Sequence, residues 1–157
     1  MASAPDQTSM RQVAGFTLVE LVIIIVILGI IAAVAVPKFA NVADGARVNA
    51  TKEEMAQIKR AIVGNPSAVV GGEYIDRGFE GDIGHPPSRL QDLVIKPDSI
   101  APFDKVLRLG WNGPYLDGSN NQYATDAWGN AYNFDPINRR LVSTMGGLSG
   151  DSLLVTF

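Results

Sequence analysis

From Gly15 to Phe39 the chain reads GFTLVELVIIIVILGIIAAVAVPKF, and Leu21–Val36 within it carries no charged or polar side chain. A surface helix keeps its apolar residues to one stripe; here every face is apolar. With 16–20 added the run reaches about 21 residues, on the order of 30 Å as a helix and enough to span a bilayer. A buried core helix is a poor alternative, because nothing else in the chain is apolar enough to surround it. After Pro37 the pattern changes. Phe39, Val42, Met55, Ile58 and Ile62 keep helical spacing, while Asp44, Arg47, Lys52, Glu53, Glu54, Lys59 and Arg60 supply a wet face. Gly64-Asn65-Pro66 is a terminator. The pattern predicts one helix from Phe16 to about Ile62, on the order of 70 Å at 1.5 Å per residue. Two helices broken at Pro37 are the alternative.

Beyond Gly64 the apolar residues come in short groups among Gly, Pro, Asn and Asp. In HPPSRLQDLV, Ser88 reads as an N-cap with Leu90, Leu93 and Val94 on one face, closed by Pro97. Strands are expected near Ala131–Phe134 and Arg140–Thr144 around an Asp135-Pro136 turn, with a last strand over Ser152–Phe157. Trp111, Tyr115, Trp128, Tyr132 and Phe134 are the expected core against the helix. The fold class is α+β, with a long N-terminal helix packed on a small antiparallel head. Three segments follow: a leader over 1–15, the helix over 16–62 and the head over 63–157.

Met1–Ala14 is polar and without structural pattern, which marks a leader. Arg11 and the initiating amine before the span favour a cytoplasmic leader, and Lys38 after it weakens that vote. The competing reading is a cleaved secretory signal, since Ala33-Val34-Ala35 has the small-x-small form of a cleavage site. The length of the apolar run, Glu20 at its start and the helical pattern beyond the cut argue against it.

Composition narrows function by exclusion. The formal net charge of −3 gives no electrostatic reason to expect nucleic acid as a partner. The absence of cysteine removes disulfides, thiolate nucleophiles and Cys-based zinc sites. His85 is the single histidine, beside two prolines, and neither G-x-S-x-G nor a Walker A loop occurs. An enzyme is not expected.

Glu20 is the anomaly. A carboxylate inside a membrane helix costs about 2.5–3.5 kcal/mol on insertion scales, so one that persists is usually paired or functional. Snorkelling to the interface from near the helix end is the structural alternative. Pro37 removes the amide that would bond the Ala33 carbonyl, and Gly29 is entropically weak in a helix. Local unwinding between them and simple tolerance, common for Gly and Pro in membrane helices, are equally compatible with that chemistry.

The Gly-Phe-Thr-Leu-Val-Glu core, the interior Gly29 and the closing Pro37 together resemble the class III signal of type IV pilins and type II secretion pseudopilins. The resemblance implies cleavage by a prepilin peptidase after Gly15 and methylation of the new amine of Phe16. It also implies that Glu20 of one subunit meets the Phe16 amine of its neighbour, setting axial register between helices, and that the Gly29–Pro37 stretch melts on assembly. GPYL at Gly113–Leu116, DAWGNAYNF at Asp126–Phe134 and LVSTMGG at Leu141–Gly147 look like the head of the major pseudopilin of type II secretion. Ala127 and Ala131 replace two prolines of that motif. Calcium often staples such heads in the loop after the last hairpin. Here Ser143–Ser152 offers Asp151 as its one carboxylate, whereas calcium takes six to eight oxygens, several of them charged. Weak or absent calcium binding is expected. DGSNNQ at Asp117–Gln122 lacks the later EF-hand positions and reads as a turn.

The resemblance implies a pseudopilin-like filament subunit of the type IV pilin fold, held in a bacterial inner membrane with a periplasmic head, and serving protein export. Its partners would be further copies of itself, the prepilin peptidase, inner-membrane assembly machinery and minor pseudopilins. A surface type IV pilus subunit is the alternative, and a monomeric membrane-anchored binding module the third reading.

Overall fold

The computed structural model describes residues 15–119, 122–145 and 152–157. The chain divides into two compact units, one ending at Val42 and the other covering Ala43–Phe157. One α-helix, α1, runs over Leu18–Val63, so the expected helix forms as a single element, Pro37 included. Its stop is set by backbone conformation. Gly64 adopts φ +76° and its N–H donates to the Arg60 carbonyl at 2.7 Å, a left-handed cap that costs glycine little.

In the first unit, the Leu18–Val36 stretch of α1 has the length and apolarity to cross a membrane, and none of it is buried within the chain. In the second unit, Thr51, Met55, Ile58 and Ile62 recur at helical spacing and are all buried, forming the stripe on which the head condenses. Phe79, Leu90, Leu93, Tyr132 and Leu141 close over it. Each such side chain contributes roughly 1.5–3 kcal/mol relative to exposure.

Elements after α1 are short. Strands β1 (Val69–Val70) and β2 (Glu73–Tyr74) form an antiparallel hairpin. Helix α2 (Gly78–Ile83) follows, then 3-10 turns at Leu90–Leu93 and Gln122–Ala124. Strands β3 (Asn133–Asp135), β4 (Arg140–Ser143) and β5 (Leu153–Thr156) make one antiparallel sheet in that order. Leu141 pairs with Phe134 on one side and Val155 on the other, which points its side chain into the core. Gly64 and Gly78 meet backbone to backbone: a Cβ on Gly78 would collide with the Gly64 amide and lie 2.7 Å from the Ile62 carbonyl. Only glycine permits α2 to start this close to the end of α1, and that contact seats Phe79 fully inside the core.

Several expectations need correction. Ser88 does not cap the turn after it: Arg89 is the N-cap, and the Asp92 carboxylate accepts its N–H at 3.0 Å. Only a 3-10 turn, Leu90–Leu93, forms there. Trp128 is half-buried and outside the core cluster; Phe79 holds the central place instead. Glu54, expected on the wet face, is half-buried and accepts the Tyr132 hydroxyl at 2.8 Å. The β1–β2 hairpin and α2 had no strong periodic signal, being two-residue strands and a six-residue helix.

Candidate functional site

The N-terminal site begins with Gly15, whose surroundings are open: a Cβ there would meet nothing within 4 Å. Phe16 next to it is 79% exposed. The junction is therefore an accessible bond flanked by a residue the fold does not constrain.

Two residues on, a capping box starts α1. Thr17 is the residue before the helix, and its hydroxyl oxygen accepts the Glu20 N–H at 3.2 Å. In return Glu20 Oε2 accepts the Thr17 N–H and the Thr17 hydroxyl, each at 3.0 Å. Reciprocal bonding of this kind satisfies two amide donors that a helix start leaves without partners. The signal is present in the sequence as Thr-x-x-Glu ahead of an apolar run. Glu20 lies in the first helical turn, where the helix dipole favours an anion.

Gly29 sits in the interior of α1 with nothing within 4 Å of a built Cβ, so the isolated chain does not need its small size. Pro37 lies within α1, and its side chain falls outside the described residues. Asp151 lies outside them too. Large apolar side chains from Leu18 to Val36 stand exposed along the helix, and lipid or neighbouring helices must cover them.

Within the head, one buried carboxylate organises the turn before β3. Asp126 is buried, and its Oδ1 accepts the Trp128 N–H at 3.0 Å, the Asn130 N–H at 2.9 Å and the Asn130 amide at 3.4 Å. Its Oδ2 accepts the Ser143 hydroxyl from the end of β4 at 2.6 Å. The same turn is tied to α1, since the Ala127 N–H donates to the buried Thr51 hydroxyl at 3.2 Å. Burial pushes the Asp126 carboxyl up, but the bonds from Ser143, Asn130 and Trp128 outweigh it and hold it below the usual carboxylate range. Burial and the Glu54 carboxylate push the Tyr132 hydroxyl well above its ordinary value. Opposite, the Arg139 guanidinium donates to both Glu80 oxygens at 2.7 and 2.8 Å, holding that carboxyl low and joining α2 to the β3–β4 turn.

The Asp126 and Ser143 oxygens are committed to each other and to backbone amides, and no group of three or more His, Cys, Asp or Glu converges among the described residues. His85 is exposed in a loop, with Nδ1 2.8 Å from the Pro86 carbonyl oxygen. Asp117 accepts the Ser119 N–H at 2.9 Å, the mark of the turn expected there.

Comparison with known proteins bears on both halves. A family described as the prokaryotic N-terminal methylation motif matches residues 10–36. The type II secretion system core protein G of Pseudomonas aeruginosa is 32% identical over 126 residues, covering 79% of this chain and 74% of that protein. Core protein G of Xanthomonas campestris pv. campestris is 27% identical over 147 residues, covering 88% and 86%. The type IV major fimbrial protein FimA of Dichelobacter nodosus is 36% identical over 67 residues, covering 43% of this chain and 40% of FimA. No solved structure matches significantly. With so much of both proteins aligned, the chain belongs to the type IV pilin-like family, homologous to type II secretion core protein G, the major pseudopilin, and to fimbrial proteins.

Proposed function

We propose that this chain is the repeating subunit of a pseudopilus that drives protein export by a type II secretion-like system. The extent of the likeness to core protein G carries the reading. A match over 79% of the chain must reach well past Val42 into the head, whereas the likeness to FimA covers 43%. The N-terminal helix is what all such filaments share, so the head decides between export and surface fibre.

In this reading residues 1–15 are a leader removed after Gly15, 16–62 form the helix that first spans the inner membrane and then lines the filament core, and 63–157 form the periplasmic head. Prepilin peptidase is the processing partner, and inner-membrane machinery with minor pseudopilins starts the polymer. Cleavage places a positive amine on Phe16, four residues from Glu20, and the carboxylate pairs with the amine of a neighbouring subunit. In a low-dielectric bundle that pairing fixes register, as a buried polar group does in a coiled coil. Gly29 and Pro37 provide the stretch that loosens when helices pack.

Deleting the gene in the producing bacterium tests the reading. Loss of protein export with surface fibres unchanged is the expected result. Loss of fibres with export intact would establish the surface-pilus alternative, which the fimbrial relatives support. An uncleaved membrane-held monomer would establish the anchored binding module.

A further inference from the structure

At Gly113 the backbone passes between two aromatic rings. A Cβ there would lie 2.7 Å from Trp111 Cζ2 and 2.8 Å from Tyr115 Cδ2. Neither ring is free to give way. The Trp111 indole N–H donates to the Asp92 backbone carbonyl at 3.1 Å, and the Tyr115 hydroxyl donates to the Asp82 carboxylate at 3.1 Å. The two rings meet edge to face, with centroids 5.9 Å apart. The packing therefore holds glycine at position 113, and the residue before it is Asn112.

That neighbour has a chemical consequence. The backbone nitrogen of the following residue can attack an asparagine side chain. It does so most readily when that residue is glycine, since no Cβ shields the nitrogen and the backbone turns at little cost. Among the asparagines of the sequence, Asn112 alone is followed by glycine. Asn112 is exposed, and neither its carboxamide nor the Gly113 N–H is hydrogen-bonded among the described residues. It also lines a cleft of about 170 Å³, wide enough to admit water. Other asparagines are protected. Asn65 precedes a proline, which has no N–H. The side-chain amides of Asn130 and Asn138 are tied to Asp126 and Asp135 at 3.4 and 2.7 Å.

We propose that Asn112 is a site of spontaneous covalent modification in the folded head. The Gly113 nitrogen gives its proton to solvent hydroxide and bonds to Asn112 Cγ. The Cγ–Nδ2 bond breaks, Nδ2 takes a proton from water and leaves as ammonia, and a five-membered succinimide closes. Water then adds to either imide carbonyl and breaks its bond to the ring nitrogen, which yields aspartate or isoaspartate. No electron changes hands, and water is the sole co-reactant. Isoaspartate routes the main chain through the former side chain and adds a methylene between Trp111 and Gly113. That displaces the Asn112 N–H from the Tyr115 hydroxyl, to which it donates at 3.0 Å, and loosens the contact between the two rings. The modification depends on the head alone and stands apart from the export reading above.

The full chain in mild detergent, aged at mildly alkaline pH beside Asn112→Gln, tests the proposal. Tandem mass spectrometry of the tryptic peptide 109–139 reads the position of each change. Aspartate and isoaspartate at 112, ahead of every other asparagine and with ammonia released, is the expected result. Conversion at 112 in Asn112→Gln should be about a hundredfold slower, because one more methylene carries the carbonyl away from the Gly113 nitrogen. Tryptophan emission of the parent should drift with the same half-time, and that of Asn112→Gln should hold steady. A parallel sample in guanidinium chloride separates fold from sequence. Conversion there with none in the folded chain would show that the head shields Asn112, and would overturn the proposal. First conversion at another asparagine of the folded chain would overturn it too, and conversion at 112 without a drift in emission would sink the loosening of Trp111 and Tyr115.

Discussion

Asp126→Ala should unfold the head more readily than any other single polar truncation in it. The substitution removes an acceptor for four donors: two backbone N–H groups, the Asn130 amide and the Ser143 hydroxyl. Ser143 is fully buried, so its hydroxyl has no water to turn to. Hydrogen bonds to a charged group contribute about 1.5–3 kcal/mol each, though bonds sharing one carboxylate do not add. Taking the strong Ser143 bond and part of the turn gives about 3–4 kcal/mol, against a total of roughly 5–15 kcal/mol for a domain. Asp126→Asn keeps one acceptor oxygen and offers an amide that the Ser143 hydroxyl can accept from, so its cost should be about 1–2 kcal/mol.

Both tryptophans, Trp111 and Trp128, lie in the Ala43–Phe157 unit, so their fluorescence reports head unfolding alone. Urea titration of the full chain in mild detergent reads the difference; at about 1.5 kcal/mol per molar, Asp126→Ala shifts the midpoint down by about 2 M. Acid adds a second check. Asp126 is held below its ordinary 3.8, and a depressed folded pKa gives stability that is present above the unfolded value and lost as pH falls through the folded one. Below about pH 4 the unmodified head should lose stability more steeply than Asp126→Asn, which binds no proton there. A midpoint for Asp126→Ala within about 0.3 M of the parent, equivalent to about 0.5 kcal/mol, would refute the network's importance.

The remaining expectations concern processing, assembly and metal. The mature chain should begin at Phe16 and carry a methyl on its amine, and Gly15→Val should accumulate as full-length membrane precursor; intact mass reads both, and a chain starting at Val36 would establish the secretory-signal alternative. Glu20→Ala should insert and fold its head normally yet lose most fibre yield, and Glu20→Gln, which keeps the acceptor for Thr17, should fail almost as badly; normal yield from either would sink the register argument. Chelator should move the head's melting temperature by less than about 2 °C, because the Ser143–Ser152 loop brings one carboxylate; a larger drop that Asp151→Ala abolishes would show a calcium site built from loop oxygens.

What the sequence made legible was whatever repeats. Thr51, Met55, Ile58 and Ile62 lie at a spacing that only a helix turns into a stripe, and the apolar span declares itself by length alone. The sheet was readable because Asp135-Pro136 separates two β-rich runs. Phe79 was not, because its burial depends on Gly64 and Gly78 meeting across 14 positions of sequence, and no local pattern encodes a backbone contact. The role of Asp126 was not legible either, since its fourth donor, Ser143, comes from another strand. Glu54 was misplaced for a related reason. A charged residue at the edge of a wet face turns inward when a tyrosine hydroxyl from the sheet arrives to donate to it.

Glu20 remains the residue on which sequence and structure say different things that are both physical. Counted as a charge in a span, it is a cost. Counted as the third residue of a helix, it is an acceptor placed where four amides lack partners, and in lipid an orphaned amide is itself expensive. The capping box therefore returns part of what the charge costs, and does so inside one subunit, before any neighbour exists. A cap alone does not require a full charge, since Gln also completes such a box. On the proposed reading the charge becomes necessary only after Gly15 is cut, when an amine appears within one helical turn. The same carboxylate would then serve insertion first as a cap and assembly later as a counter-ion, which is why Glu20→Gln separates the two roles and Glu20→Ala does not.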